Sequence, residues 1–141
     1  MKRQDAKDAR AEFQEPEADL DRLASIVISA AVEVHRHLGP GFLESVYEQS
    51  ICVELGLRGV AFESQVPIAV EYKGRPVGTG RLDLLVEDRL IVELKAVAGL
   101  EPIHNLQVLS YLKAFRRSLG LLINFNVPVL LRGVRRVVFT S

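Results

Sequence analysis

The sequence predicts an α/β fold in which a central mixed sheet, beginning with an antiparallel meander, is flanked by helices. Three observations support this fold class. Apolar residues recur at helical spacing before Gly56, and three segments with strand-like patterns follow. A further helical segment then precedes two more short apolar strands, so helices are expected on both faces of the sheet.

The first helix is expected over residues 20–38, because apolar residues recur there every three or four positions: Leu23, Ile26, Val27, Ala30, Ala31, Val34 and Leu38. Gly39-Pro40-Gly41 ends it, since glycine accepts left-handed angles and proline cannot continue a helix. A second helix is expected over residues 42–55, ending at Gly56. Residues 1–20 are rich in charge, and we interpret them as a flexible or weakly helical tail before a single domain over residues 21–141.

The middle of the chain predicts three strands, over residues 60–72, 80–86 and 90–97, joined by tight turns as a meander. A third helix is expected over residues 101–119, with Pro102 in its first turn and Gly120 at its end. The apolar segment 121–125 is typical of a strand covered on both faces. A last strand over residues 134–139 is expected at a sheet edge.

Composition limits the classes of function. The chain has 141 residues, of which 48% are apolar, enough for one domain with one core. A net charge of zero argues against binding nucleic acid through a general basic coat, although it permits a local basic groove. With a single cysteine, Cys52, the chain cannot form an intrachain disulfide. It also lacks a Cys/His cluster of the kind that binds structural zinc. No secretion signal or membrane span is evident, so we expect a cytoplasmic protein.

Charged residues interrupt two of the predicted apolar strands. Glu93 and Lys95 are two apart and therefore share a face, while Asp83 lies on the preceding strand with Leu82 and Leu84 expected on its other face. With a two-residue turn, each pair of opposed residues on the two strands would have numbers that add to 175. Asp83 would then lie opposite residue 92, one position before Glu93. A three-residue turn or a bulge would shift the sum to 176 and place Asp83 opposite Glu93.

Two opposed carboxylates repel each other, so both stay ionised only with a cation between them. A hard divalent ion such as Mg²⁺ prefers oxygen ligands. Lys95, on the same face, would orient a water molecule or attract a phosphate. The alternative from these strands alone is a solvated face that carries an ordinary Glu–Lys pair.

Several short motifs stand in a fixed order: Gly41-Phe42-Leu43-Glu44-Ser45-Val46-Tyr47, Tyr72-Lys73-Gly74, Arg81-Leu82-Asp83-Leu84, Glu93-Leu94-Lys95-Ala96 and His104-x-x-Gln107-x-x-x-Tyr111-Leu112-Lys113. Asp83 followed by Glu93-x-Lys95 resembles the signature of the PD-(D/E)xK nuclease superfamily. The whole set resembles more closely a small bacterial family of that superfamily, named for the motif G-x-x-E-x-x-Y. One departure is Leu82, which stands where the superfamily name has proline.

The resemblance implies an α/β nuclease core with Asp83, Glu93 and Glu44 as metal ligands and Lys95 as the catalytic lysine. It implies Mg²⁺ as cofactor, with Mn²⁺ able to substitute. Gln107 and Tyr111 resemble the Q-x-x-x-Y helix of one exonuclease branch, so Gln107 joins the catalytic set and Tyr111 the nucleic-acid contacts. His104 is interpreted as a residue of the helix start or a support for the ligands.

These expectations combine into one functional hypothesis, Mg²⁺-dependent hydrolysis of phosphodiester bonds in nucleic acid, DNA being favoured. Basic residues near the site are candidates for backbone contacts: Arg81, Lys113, Arg116 and Arg117. Two alternatives stay open. The chain could be a non-catalytic nucleic-acid-binding or assembly protein that retains the fold, or a protein-interaction subunit that forms a homodimer through its edge strand at residues 134–139.

Overall fold

The computed structural model describes the backbone of residues 5–140 and the side chains of residues 17–140. Within this part of the chain the helices are α1 (Asp5–Leu38), α2 (Glu44–Leu57) and α3 (Pro102–Phe115). The strands are β1 (Phe62–Tyr72), β2 (Arg75–Val86), β3 (Leu90–Lys95), β4 (Leu119–Asn124) and β5 (Val134–Val138). A 3-10 turn, Leu130–Gly133, precedes β5.

The strands form one mixed sheet in the order β1-β2-β3-β4-β5. β1, β2 and β3 are antiparallel neighbours, which confirms the predicted meander. β3 and β4 are parallel, and α3 makes the crossover that such a pair requires. β5 is antiparallel to β4 and lies at the edge, as expected.

Helices cover both faces of the sheet, and each face has its own apolar core. α1 and α2 pack on one face against the side chains of Leu84, Val92 and Leu121. α3 packs on the other face, where Val108 and Leu112 contact the strands. Every residue of β4 is buried, which confirms a strand covered on both sides.

The N-terminal helix is longer than predicted. α1 begins at Asp5 rather than near Leu20, so helical backbone enters the segment interpreted as a tail, while residues 1–4 lie outside the described part. Whether residues 1–20 behave as a separate flexible tail stays a prediction. The predicted end is correct: Gly39 has φ +70° and its N–H donates to the carbonyl of His35 at 2.8 Å. None of the helices in residues 5–140 combines the length and apolarity that a bilayer crossing requires.

Two predicted helix ends were wrong, because Gly56 and Gly120 do not end the helices before them. α2 continues past Gly56 to Leu57, and the left-handed residue that follows is Gly59. α3 ends at Phe115, where Arg116 adopts φ +59° and caps the helix. Gly120 lies inside β4, directly under α3: a Cβ built there would come within 2.7 Å of Val108 Cγ1. Gly120 therefore permits close packing of helix on sheet rather than ending the helix.

The β1–β2 hairpin also extends further than predicted. Lys73 and Gly74 both have positive φ and make a tight turn, so β2 begins at Arg75 instead of residue 80. Pro76 is tolerated in β2 because β3 pairs with β2 only over Leu84–Val86, leaving this end of β2 as a local edge. Beyond that short ladder, the hairpin projects past the central sheet.

Candidate active site at a fork between two strands

The candidate site lies where β2 and β3 separate. Their ladder consists of Leu84↔Val92, Leu85↔Ile91 and Val86↔Leu90. The two residue numbers in each pair add to 176. The three-residue turn over 87–89 therefore sets the register that opposes Asp83 to Glu93. Beyond this ladder β2 pairs only with β1, and β3 only with β4. We call the opening between Asp83 and Glu93 the strand fork.

Hydrogen bonds link Asp83 and Glu93 to each other's strands across the strand fork. The Asp83 N–H donates to Glu93 Oε2 at 2.8 Å, and the N–H of Leu94 donates to Asp83 Oδ2 at 2.8 Å. Each carboxylate thus accepts from the backbone of the opposite strand, where a ladder bond would otherwise form. The two acids predicted to converge are held together at the vertex of the fork.

The pleat of β2 reverses at Asp83, which the sequence did not predict. Leu84 packs in the core under α1 and α2, whereas Leu82 packs in the core under α3. Regular alternation would place both leucines on the same face of the sheet, and the sequence predicted this. That prediction was wrong. β1 shows the same reversal between Phe62 and Val66, so both strands change face at the level of Asp83.

Burial and like charge dominate the electrostatics of the strand fork. Glu93 is only 3% exposed, and burial, reinforced by the Asp83 carboxylate, raises its pKa to about 8. Burial also raises the pKa of Asp83, opposed by the Leu94 N–H and the Lys95 ammonium. Without a cation, the pair therefore prefers to hold a proton near neutral pH.

Lys95 and Glu44 approach the same two acids from different elements. Lys95 ends β3, and its positive charge lowers the pKa of Asp83, Glu93 and Glu44, although it makes no ion pair within 4.0 Å to a described acid. Glu44 is the first residue of α2 and is half-buried. Its pKa is raised by burial and then by the Asp83 charge, so it lies within electrostatic range of the fork.

Tyr47 belongs to the same motif as Glu44 but is a packing residue. It is fully buried and stacks on Phe125, with ring centroids 4.5 Å apart. Its hydroxyl donates to the Gly39 carbonyl at 2.6 Å and accepts from the Phe42 N–H at 3.2 Å. Tyr47 thereby fixes the turn that places Glu44 beside the strand fork.

Gln107 and Tyr111 share one stripe of α3, as their helical spacing predicted, and Tyr111 lies within electrostatic range of the strand fork. Gln107 Nε2 donates to the Tyr111 hydroxyl at 3.3 Å, and the backbone of Arg81 lowers the pKa of that hydroxyl. The pKa of Tyr111 is raised by burial and by the nearby Glu93 and Asp83 charges. Helix α3 thus brings an amide and a phenol to the opposite side of the fork from Glu44.

The sequence profile of the PD-(D/E)XK nuclease superfamily matches residues 21–137. The chain belongs to this superfamily. Its fold is also similar to the crystal structure of SSO0001, with a TM-score of 0.53 and 19% identity over 69% of this chain and 50% of that one. This chain therefore spans about half the length of SSO0001, and the likeness shows the fold alone. No curated protein matches the chain significantly.

The basic residues predicted to contact nucleic acid fall into two groups on this PD-(D/E)XK fold. Arg81 is exposed two residues from Asp83, at the mouth of the strand fork. Lys113 and Arg116 are exposed at the far end of α3, with Lys113 Nζ 6.0 Å from the Phe139 ring centroid. Arg117 instead binds the β2–β3 turn, through Asp88 O at 2.9 Å and Asp88 Oδ1 at 3.1 Å. His104 caps α3: its Nδ1 accepts from the Glu101 N–H at 2.9 Å.

Two residues around the superfamily site were missed by sequence reasoning. Gln65 of β1 lies opposite Asp83, and its amide lowers the pKa of that carboxyl. Asn124, at the end of β4, is buried and holds the segment after Lys95 through Val97 N–H and Val97 O, both at 3.0 Å. Asn124 had a usable signal, a polar residue inside the apolar segment 119–125. Gln65 had none, because an isolated glutamine in an exposed strand is ordinary.

The donor set of the strand fork fits a hard divalent cation. Asp83 and Glu93 offer carboxylate oxygens, and an adjacent cation would favour the ionised form that burial disfavours. Among the residues the structure describes, no three acidic, histidine or cysteine side chains are arranged as a metal site. The expected triad of Asp83, Glu93 and Glu44 is therefore present as a close pair with Glu44 near it. A pair suffices for Mg²⁺, which commonly binds one or two carboxylates and keeps several waters.

Proposed function

We propose that this protein is a Mg²⁺-dependent nuclease that hydrolyses phosphodiester bonds of nucleic acid, with DNA as the favoured substrate. Membership of the PD-(D/E)XK nuclease superfamily supports nucleic acid as the substrate class, and nucleases of this superfamily generally use divalent metals. The observation that carries the proposal is the pair Asp83 and Glu93, each hydrogen-bonded to the other's strand beside Lys95.

In this proposal Asp83 and Glu93 hold the cation, and Glu44 supports them from α2. A bound ion would polarise the phosphate and lower the pKa of a water molecule that it binds. Lys95 orients the attacking water or stabilises negative charge that develops on the phosphate. Gln107 and Tyr111 bound the opposite side of the strand fork, where they would position a phosphate through the amide and hydroxyl. Arg81 would contact the nucleic-acid backbone at the mouth of the fork.

We further propose the finer assignments that follow from the motifs. The segment from Gly41 to Tyr47 supports membership of the G-x-x-E-x-x-Y family within the superfamily. Mn²⁺ would substitute for Mg²⁺, since both accept carboxylate and water ligands. A cytoplasmic location completes the proposal, whereas a homodimer formed through β5 belongs to the competing reading as a protein-interaction subunit.

The test is cleavage of single-stranded, double-stranded and branched DNA, and of matched RNA, by the purified chain with Mg²⁺ and with EDTA. We expect Mg²⁺-dependent cleavage that Asp83→Asn and Lys95→Ala reduce at least about a hundredfold, since each removes a group that acts on the reacting phosphate. Glu71→Gln and Lys73→Ala are matched controls, because both residues are exposed at the tip of the β1–β2 hairpin, away from the strand fork.

Binding measured alongside cleavage separates the alternatives. Nucleic-acid binding without cleavage, unchanged by Lys95→Ala, would indicate a non-catalytic binding or assembly protein that retains the fold. A defined oligomer that neither binds nor cleaves nucleic acid would indicate a protein-interaction subunit. Circular dichroism and thermal melting of every variant check that the fold is intact.

A further inference from the structure

Gln65 has an unusual backbone for its place in the sheet. It lies within β1 yet has φ +54°, a left-handed angle that a residue with a Cβ rarely adopts inside a strand. Ser64↔Leu84 and Val66↔Leu82 pair on either side of it, which places Gln65 opposite Asp83. The reversal of the pleat in both strands occurs at this position. The distortion of β1 and the opening of the strand fork therefore coincide.

The side chain of Gln65 connects β1 to α2 beside Asp83. Its Nε2 donates to Glu48 Oε1 at 2.9 Å and to Glu48 Oε2 at 2.8 Å, which ties β1 to α2. The Gln65 amide also lies near enough to the Asp83 carboxyl to lower the pKa of that acid. Because the Leu94 N–H donates to Asp83 Oδ2 from β3, the carboxylate has polar neighbours on both adjoining strands.

We propose that Gln65, anchored by Glu48, is a positioning residue that holds the Asp83 carboxylate in the orientation needed for divalent-cation binding. This inference rests on the proposed nuclease function. It accounts for two unfavourable features together. One is the left-handed backbone of Gln65, and strain of this kind persists where surrounding contacts impose it. The other is the position of Glu48, one helical turn from Glu44, because the negative charge of Glu48 raises the pKa of Glu44.

The decisive variant is Gln65→Gly, which removes the amide while allowing the left-handed backbone without a Cβ. Mn²⁺ affinity is measured by electron paramagnetic resonance on the full chain, without nucleic acid, and cleavage is measured separately. We expect Gln65→Gly to melt within a few degrees of wild type and to bind Mn²⁺ about tenfold more weakly, as is typical when a residue supporting a metal ligand is lost. The kcat for cleavage should fall while the KM for DNA changes little.

Three companion variants test whether the effect is specific to the Gln65 side chain. Ser64→Gly is the matched control, because it places a glycine at the neighbouring exposed position of β1 and should leave Mn²⁺ affinity unchanged. Gln65→Asn tolerates the left-handed angle but is one methylene shorter, so it should also bind Mn²⁺ weakly. Glu48→Ala should weaken Mn²⁺ binding less than Gln65→Gly, since the amide loses its anchor but stays beside Asp83.

The results distinguish this inference from the proposed function. Equal Mn²⁺ affinity in wild type, Gln65→Gly and Gln65→Asn would overturn the role of Gln65 while leaving the nuclease proposal standing. A wild-type chain that neither binds Mn²⁺ nor cleaves nucleic acid would instead overturn the nuclease proposal. Weaker Mn²⁺ binding in Ser64→Gly to the same extent as in Gln65→Gly would show general loosening of β1 and contradict the positioning role.

Discussion

The backbone N–H of Asp83 donates to Glu93 Oε2 at 2.8 Å, so one acid of the strand fork holds the other in place through its main chain. Leu94 completes the exchange by donating to Asp83 Oδ2 at the same distance. These bonds replace ladder bonds that β2 and β3 no longer make. The separation of the strands and the orientation of the carboxylates are therefore one structural feature.

We expect the metal-free chain to lose stability as the pH rises from about 4.5 to about 8. The pKa of Glu93 is raised from 4.5 to about 8, so the folded chain binds a proton in this range that the unfolded chain has released. Stability falls with pH wherever the folded state binds more protons. Glu93→Gln cannot ionise, so in EDTA it should melt several degrees above wild type at pH 8 and close to wild type at pH 5.

Glu63→Gln provides the control, because it removes a carboxyl from an exposed position of β1. It should follow the wild-type melting curve at every pH. Equal pH dependence in wild type and Glu93→Gln would show that Glu93 ionises normally in the folded chain. The raised pKa of Asp83 and Glu44 should leave a smaller residual slope in Glu93→Gln.

Much of the fold could be predicted from the sequence, because periodicity reports which side of an element is buried. The meander, the covered strand β4, the edge strand β5 and helices on both faces were all predicted correctly. Helix ends were less predictable, since glycine ends some helices and permits close packing elsewhere. Gly39 ends α1, whereas Gly120 lies under Val108.

The convergence of Asp83 and Glu93 was predictable, because the length of the turn decides which residues of the two strands lie opposite each other. The reversal of the pleat at Asp83 was not, because it depends on the left-handed backbone of Gln65, a residue whose type does not favour that angle. The structural role of Arg117 was likewise hidden. Its partner, Asp88, is 29 positions away, and charge alone does not distinguish an ion pair from a nucleic-acid contact.

Tyr47→Phe should lower stability and activity together. Removing the hydroxyl leaves the Gly39 carbonyl and the Phe42 N–H without their partner, and loss of such bonds costs about 1–3 kcal/mol. The turn before α2 would loosen, and Glu44 would be held less firmly beside the strand fork. Urea unfolding and Mg²⁺-dependent cleavage measure the two effects. Tyr72→Phe is the control, because Tyr72 is 63% exposed at the hairpin tip; an equal effect there would contradict the role of Tyr47.

Gly120→Ala should destabilise the fold by about 1–3 kcal/mol through overpacking. The added Cβ would lie 2.7 Å from Val108 Cγ1 and force α3 away from β4. The double variant Gly120→Ala with Val108→Ala should recover part of the loss, because the clashing methyl group is removed. Gly78→Ala meets no heavy atom within 4 Å and serves as the control. Additive effects of the two substitutions in urea unfolding would show that the contact is not the cause.

Arg81 and Arg117 should differ in their contribution to nucleic-acid binding, although both were predicted contacts. Arg81→Gln removes an exposed charge at the strand fork and should reduce the slope of log affinity against log salt by about one unit. Arg117→Gln removes the bonds to Asp88, so it should lower the melting temperature and leave the salt slope unchanged. Binding is measured with Ca²⁺ in place of Mg²⁺, to limit cleavage, over a range of salt concentrations. A reduced slope in Arg117→Gln with an unchanged slope in Arg81→Gln would place the nucleic acid on the far end of α3 instead of at the fork.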